Sequence, residues 1–468
     1  MKLNFTKRHI LKYIKTVLGV IAILVNAGCE SFVEVDIPDD QLYGDSVFQD
    51  ESTATAALLA IYADYRDNTL FTGGNQGISY LLGHYADELT LYSNLDPLVD
   101  AFNTNSIIPS NTYINTIWNN SFNLVYQANV IIEKIDHSSG LTEEVGNQIM
   151  GEALFNRALI HFYLMNLFGE IPYVLTTDYE ENSTLSRLSE QAVLEQVIKD
   201  LQQAKSLISA DYVSAYRTRP NKWACSALLA RVYLNSGNWE MAQAEADEVI
   251  SQTDLYAMPE NLNEVFLKDS PETIWQFDPG LPGLNTEEAI NFIFVQAPPP
   301  DSSLSTILLD AFEEGDKRTE AWIGRVSDGT TTYAYPYKYK EVTNTGTSVE
   351  FSVQSRLAEV YLIRAEARAH LGNLTGGMAD LNRVRTRAGL AGLANLSEAQ
   401  LVNAILNERQ VELFTELGHR FFDLKRLERI DQVLGMEKPF WEETDRLLPI
   451  PQNEIEINPN LRPQNPGY

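Results

Sequence analysis

Apolar residues recur at three- and four-residue spacing through most of the chain, the signature of helices that bury one face. STATAALLAIYADY (52–65), TIWNNSFNLVYQANVIIEKI (116–135), GNQIMGEALFNRALIHFYLMNLF (146–168), LSEQAVLEQVIKDLQQAKSLI (188–208) and LSEAQLVNAILNERQVELFTELG (396–418) all carry it. Two stretches are more specific. In NKWACSALLARVYLNSGNWEMAQAEADEVI (221–250), Leu229, Ala230, Tyr233, Gly237, Trp239, Ala242 and Ala246 take the spacing of a tetratricopeptide helix pair. A weaker copy runs from 356 to 390, with Ala365, Gly372, Leu374, Gly377, Leu381 and Val384 at matching offsets. Small residues at these places let antiparallel helices approach, so they are read as packing positions on a scaffold.

The pattern breaks between 255 and 350. Gly, Pro, Thr and Asn rise in FDPGLPGLNTEEAINFIFVQAPPPDSS (277–303) and GRVSDGTTTYAYPYKYKEVTNTGTS (324–348), and the alternation in TTYAYPYKYK (331–340) predicts a hairpin. A second irregular stretch, SNLDPLVDAFNTNSIIPSNT, occupies 93–112. Long irregular segments on a helical frame are where binding residues concentrate. The fold class expected is therefore mainly α, with helix pairs forming a scaffold, long irregular loops and a few short hairpins.

Near the start, a basic stretch without carboxylates precedes nine apolar residues, VLGVIAILV (17–25). Nine is too few for a spanning helix, which needs about 20, and is the length of a signal-peptide core. Ala27-Gly28 then lead directly into Cys29, the arrangement of a lipoprotein signal. Residues 1–28 are read as that signal, Cys29 as the lipidated first residue of the mature chain, and the acidic segment 29–50 as a tether. Behind it, 51–254 form an N-terminal helical region and 255–468 a C-terminal one, with irregular loops at 255–350, helices at 351–430 and a tail at 431–468.

Composition narrows the function. The 468 residues include 35 basic and 64 acidic side chains, a net charge of −29, which repels nucleic-acid backbones. Of the two cysteines, Cys225 falls in a helical pattern as a buried small hydrophobe. There is no G-x-S-x-G, H-E-x-x-H, phosphate-binding glycine loop or paired C-x-x-C, and the six histidines are scattered. No catalytic residue, metal site or cofactor is predicted. Asp87-Glu88 in HYADELT is a tempting carboxylate pair, but helix neighbours point in different directions. The dense charges of NERQVELFTELGHRFFDLKRLERI (Glu408, Arg409, Glu412, Arg420, Asp423, Arg426) are read as helix-surface and interhelix ion pairs.

GEALFNRALIHFYLMNLFGEIPYV (151–174), NERQVELFTELGHRFFDLKRL (407–427) and LPIPQNEIEINPNLRPQNPGY (448–468) closely resemble signature segments of the SusD/RagB family. FQDESTATAALLAIYADY (48–65) and WNNSFNLVYQANVIIEKI (118–135) resemble its N-terminal portion, so the likeness covers nearly the whole mature chain in order. The resemblance implies a SusD-like fold and a cell-surface, lipid-anchored outer-membrane lipoprotein that binds oligosaccharide and does no chemistry. It also implies a SusC-like TonB-dependent transporter as partner, and gives Glu30, Glu34 and Asp36 the sense of a surface-export signal. The same architecture binding peptides, or a lipid-anchored helical-repeat scaffold binding other proteins, are the alternatives.

Variable loops hold the ligand in similar proteins, and sugar faces stack on aromatic rings while amides and carboxylates take the hydroxyls. Tyr92, Asn94 and Asp96 in the first irregular stretch, and Trp322, Trp275 and Phe294 in or beside the second, are the ligand-contact residues expected.

Overall fold

The computed structural model describes residues 44–92 and 95–468. The strongest apolar periodicities become long helices, each opened by a side-chain cap. Helix α1 (Glu51–Asn68) starts at Asp50, whose Oδ1 accepts the Ser52 amide at 2.9 Å. Shorter α2 (Ile78–Tyr85) and α3 (Pro97–Asn103) follow, then α4 (Thr112–Asp136) and α5 (Glu143–Phe168), the longest. From Gln148 onward nearly every residue of α5 is buried, because α1, α4 and α6 (Glu190–Leu207) lie around it. A helix enclosed on all sides must satisfy its polar groups inside the bundle, and here Glu152 pairs with Arg219 and Arg157 with Asp200.

The two tetratricopeptide-like patterns become antiparallel pairs: α7 (Lys222–Asn235) with α8 (Trp239–Ile250), and, further along, α10 (Leu357–His370) with α11 (Leu374–Arg387). Short α9 (Glu287–Phe292) lies between the pairs in sequence. Helix α12 (Glu398–Glu412) packs onto the second pair, burying Ala358, Leu362, Ala365, Leu381, Val384, Leu401 and Ile405 in one core. A Cβ at Gly377 would lie 2.8 Å from the Ala365 carbonyl oxygen, so the closeness of α10 and α11 depends on glycine there. Helix α13 (His419–Arg426) closes the C-terminal bundle.

Among the described residues, six short strands form three two-stranded antiparallel sheets: β1 (Leu89–Leu91) with β3 (Ser302–Leu304), β2 (Thr273–Phe277) with β6 (Ser352–Arg356), and β4 (Ile323–Ser327) with β5 (Thr332–Pro336). Residues between 255 and 350 thus contribute strand to all three sheets.

The charged C-terminal stretch is an interior network rather than a set of helix-surface pairs. Glu412, 0% exposed, accepts Arg318 Nη1 at 2.8 Å, Arg356 Nη1 at 2.6 Å and Arg387 Nη2. Burial alone would raise the Glu412 pKa, but Arg387, Arg356 and Arg318 together hold its carboxyl well below the usual range. Asp316 and Glu408 complete the shell of Arg318, and Glu272 and Glu416 that of Arg356. Arg409 pairs with Asp423 at 2.6 Å and Arg426 with Glu366 and Asp423.

Asp87 and Glu88 lie in the turn after α2, both buried, and both tie that turn to the C-terminal region. Asp87 pairs with Arg420 at 2.6 Å, and Glu88 accepts the Thr415 amide at 3.2 Å.

Removing one partner of a buried ion network leaves the others uncompensated. Glu412→Gln is expected to destabilise the protein by about 3–5 kcal/mol, read as a lower denaturant midpoint. Burial and the neighbouring Asp87 push the Glu88 carboxyl up to about 8 from 4.5. The folded state therefore holds a proton that the unfolded chain releases, so this stabilisation is complete below about pH 4.5 and disappears as pH rises through about 8. Unfolding titrations across that window are expected to show stability falling with pH, and Glu88→Gln is expected to flatten the slope.

Candidate binding site

Strand β1 runs antiparallel to β3 with Leu89 opposite Leu304 and Leu91 opposite Ser302. The Tyr92 amide continues the ladder, donating to the Asp301 carbonyl at 2.7 Å. Two segments some two hundred residues apart are thereby fixed side by side. Ser302 lies in this seam, its hydroxyl 2.7 Å from both Tyr80 Oη and His84 Nε2. Burial lowers the His84 pKa to about 3, so the imidazole is neutral.

The hairpin of β4 and β5 brings aromatic rings to this seam. Period-two alternation puts Tyr333 and Tyr335 on one face of β5 and buries Ala334 and Pro336 on the other. Tyr337 follows just past the strand. The Tyr92 ring, 46% exposed, meets Tyr333 edge-on at 5.4 Å and 85°. Tyr335 contacts Phe294 at 4.9 Å and Tyr337 at 5.8 Å, and Lys340 Nζ sits 4.9 Å from the Tyr337 centroid. Tyr92, Tyr333, Tyr335 and Tyr337 make a row of partly exposed rings.

Gly324 on β4 stands opposite Tyr335, and a Cβ there would lie 2.1 Å from the Tyr335 Cζ. The ring therefore lies across the neighbouring strand, a placement that only glycine permits. Beneath the row, buried Lys338 donates to the carbonyls of Glu412 at 2.9 Å and Phe414 at 2.8 Å, and pairs with Glu416. This bolts the hairpin to the interior ion network.

Beside the row is a notch of about 100 Å³ lined by Asn75, Tyr80, Leu91, Asp96, Asn291 and Asp301, among others. Asp96 caps α3: Oδ1 accepts the Leu98 amide at 2.9 Å, and Oδ2 accepts the Tyr113 hydroxyl at 2.6 Å. Burial, then this bond to Asp96, raises the Tyr113 pKa. Among the described residues, the notch sets carboxylates and amides beside the Tyr80 ring.

Asp96 lines the notch together with Asp301, whose carbonyl accepts the Tyr92 amide, and Phe294 is a buried support for Tyr335. Asn94 and Cys29 lie outside the described residues. Two of the expected contacts are placed elsewhere. Trp322 is 0% exposed, its indole N–H donating to the Leu262 carbonyl at 3.0 Å and its ring facing Lys338, Arg356 and Arg387. Trp275 is buried among Tyr62, Tyr65, Phe155 and Phe277. Enclosed on all sides, neither ring offers a face to a ligand; both were attributed to the site because they lie in or beside a loop-rich stretch. Tyr333, Tyr335 and Tyr337, the partly exposed rings of the row, lie in the same TTYAYPYKYK alternation that predicts the hairpin. Glu408, Arg409, Glu412, Arg420, Asp423 and Arg426 are consumed by interior pairs. Among the described residues, no group of His, Cys, Asp and Glu side chains is arranged to hold a metal.

A family profile described as "Starch-binding associating with outer membrane" matches residues 74–234, and one described as "SusD family" matches residues 309–468. The chain belongs to the SusD/RagB family. SusD-like protein P25 of Formosa agariphila is 25% identical to it across 92% of this chain and 94% of that protein. SusD-like protein P2 of the same organism is 28% identical across 76% and 81%. Among solved structures, a SusD superfamily protein from Bacteroides vulgatus superposes with a TM-score of 0.77 at 20% identity, covering 90% of this chain and 99% of that one. A structure described as a laminarin-binding SusD-like protein gives 0.75 at 23%, covering 89% and 99%. The helical scaffold with its paired helices is thus the SusD fold.

In this SusD/RagB member the position of Tyr335 is expected to hinge on Gly324. Gly324→Val should overpack the hairpin and cost about 1–3 kcal/mol in unfolding free energy. Tyr335→Ala in the same chain should recover most of that loss, and additive costs in the double-mutant cycle would contradict the ring-over-glycine arrangement.

Proposed function

We propose that this protein is a lipid-anchored outer-membrane lipoprotein of the cell surface that binds an oligosaccharide and delivers it, chemically unchanged, to a SusC-like TonB-dependent transporter. The row of Tyr92, Tyr333, Tyr335 and Tyr337 beside a polar notch carries the reading. Such rings present flat apolar faces to sugar C–H groups while keeping hydroxyls for hydrogen bonds. Asn75, Asn291, Asp96 and Asp301 stand where sugar hydroxyls would meet amide donors and carboxylate acceptors. Membership of a family whose profile is described as starch-binding, and a fold shared with a laminarin-binding protein, support a glycan over other ligands. Anchoring through Cys29 accounts for membrane attachment in a chain whose described residues include no helix long and apolar enough to cross a bilayer.

Calorimetric titration against a panel of oligosaccharides tests the site. Tyr333→Ala and Tyr335→Ala are each expected to weaken binding of the best ligand about tenfold, equivalent to roughly 1.4 kcal/mol, with the ligand recovered intact. Unchanged affinity in both variants would remove the tyrosine row from the site. Intact-mass analysis of membrane-extracted protein is expected to show a chain that begins at an acylated Cys29, and co-purification is expected to recover a TonB-dependent barrel.

A further inference from the structure

A second cavity, of about 350 Å³, opens between the loop that follows α1 and the first turns of α4. It is continuous in its walls with the notch: Asn75 lines both, and Tyr113 lines the cavity while its hydroxyl is bonded to Asp96 of the notch at 2.6 Å. The notch alone is smaller than the roughly 300–1,000 Å³ typical of ligand pockets, whereas the cavity falls within that range. Its lining is chiefly amide and hydroxyl: Asn68, Thr72, Asn75, Gln76, Thr116 and Asn120.

Some of these groups are committed. The Asn120 amide donates to the Asn68 carbonyl, and Thr72 Oγ1 accepts the Gly74 amide at 3.3 Å. The side chains of Asn75, Gln76 and Thr116, by contrast, make no hydrogen bond to any described residue, and Asn75 and Gln76 are exposed. Among the described residues lining notch and cavity, the charged side chains are Asp67, Asp96 and Asp301, all carboxylates. Asp67 is clasped by Arg66 on both oxygens at 2.6 Å, which leaves Asp96 and Asp301 as the field that a ligand meets. A uronate or sulfate group there would face like charge in a partly desolvated groove, on a protein whose net charge is −29.

A larger cleft of about 380 Å³ near Arg66, Phe277 and Glu288 has a different character, with five carboxylates and exposed aliphatic side chains such as Leu281 and Ile290 on its walls. It offers sugar hydroxyls fewer neutral amides than the cavity does.

We infer that the cavity is a second sugar subsite, so that the ligand is an uncharged glycan chain running from the tyrosine row through the notch to Asn75, Gln76 and Thr116. The inference rests on the glycan reading of the tyrosine row, and its test separates the two.

The full chain is titrated with neutral tri- and hexasaccharides of glucose, mannose and xylose, and with hexasaccharides of galacturonate and mannuronate. A neutral hexasaccharide is expected to bind best, about tenfold more tightly than its trisaccharide, equivalent to roughly 1.4 kcal/mol. Thr116→Trp, which fills the cavity from the α4 surface, should abolish that gain with length while leaving trisaccharide affinity within about twofold, a change too small to report loss of the row. Gln76→Ala, at an exposed loop position, should weaken only the hexasaccharide and guards against misfolding of the tryptophan variant. A hexuronate that binds more tightly than every neutral chain overturns the inference. So does a length gain that survives both substitutions. If instead Tyr333→Ala leaves every affinity unchanged, or no glycan binds at all, the glycan reading fails and the inference fails with it.

Discussion

Burial of Glu412 constrains the whole C-terminal half. A carboxylate with no solvent contact must find its stabilisation inside the protein, and here three guanidinium groups supply it. Arg318 comes from the turn before β4, Arg356 from the end of β6 and Arg387 from the end of α11, so a single side chain on α12 fixes three otherwise separate segments. Each arginine then needs further carboxylates, which recruits Asp316, Glu408, Glu272 and Glu416. Such networks are weak evidence of net stability against a hydrophobic alternative, but they penalise any arrangement that leaves one member unpaired. What they supply here is position.

That positioning reaches the tyrosine row through Lys338. Its ammonium is surrounded by the aromatic rings of Phe414 at 3.9 Å, Trp322 at 5.2 Å and Phe266 at 5.5 Å, and by carbonyls of the α12 terminus. Burial lowers the Lys338 pKa to about 8, a sign of how thoroughly water is excluded. Tyr337 immediately precedes it in the chain. One side of this segment is therefore locked by charge inside the protein while the other presents rings at the surface. The hairpin is short, and an isolated two-stranded hairpin is marginal in water. Anchoring it through the network explains how so small an element can hold the tyrosine row in place.

What the sequence made legible follows from which interactions are local. Helix pairs α7–α8 and α10–α11 were readable because their packing is written in three- and four-residue spacing within thirty residues. The hairpin was readable because its alternation is likewise local. The burial of Trp322 was not. It is set by Lys338, Arg356 and Arg387, none of which adjoins it in sequence, and each of which needs an aromatic face or a carboxylate. A tryptophan in loop-rich sequence looks available until those cations are placed. Trp275 was concealed in the same way, since Tyr62, Tyr65 and Phe155 approach it from helices more than a hundred residues earlier. The charges of α12 and α13 were correctly read as ion pairs, but their depth was invisible because the partners Asp87, Glu272, Arg318 and Arg356 are remote.

The division of labour between the two kinds of large aromatic residue has a physical reason. An indole has one donor and two broad faces, so at the heart of a cationic network it can satisfy its N–H on the Leu262 carbonyl and offer its faces to guanidinium groups. A phenol has a terminal hydroxyl that both donates and accepts, which makes it costly to bury without a partner and useful at a wet surface. Buried tyrosines in this protein accordingly find partners: Tyr62 on Glu152, Tyr85 on the Asp445 carbonyl, Tyr173 on Asp200. Tyr92, Tyr333, Tyr335 and Tyr337 make no such bond to any described residue, and their hydroxyls remain available where the rings emerge. The tyrosines of the row therefore differ from the buried ones in that their hydroxyls are not spent inside the protein.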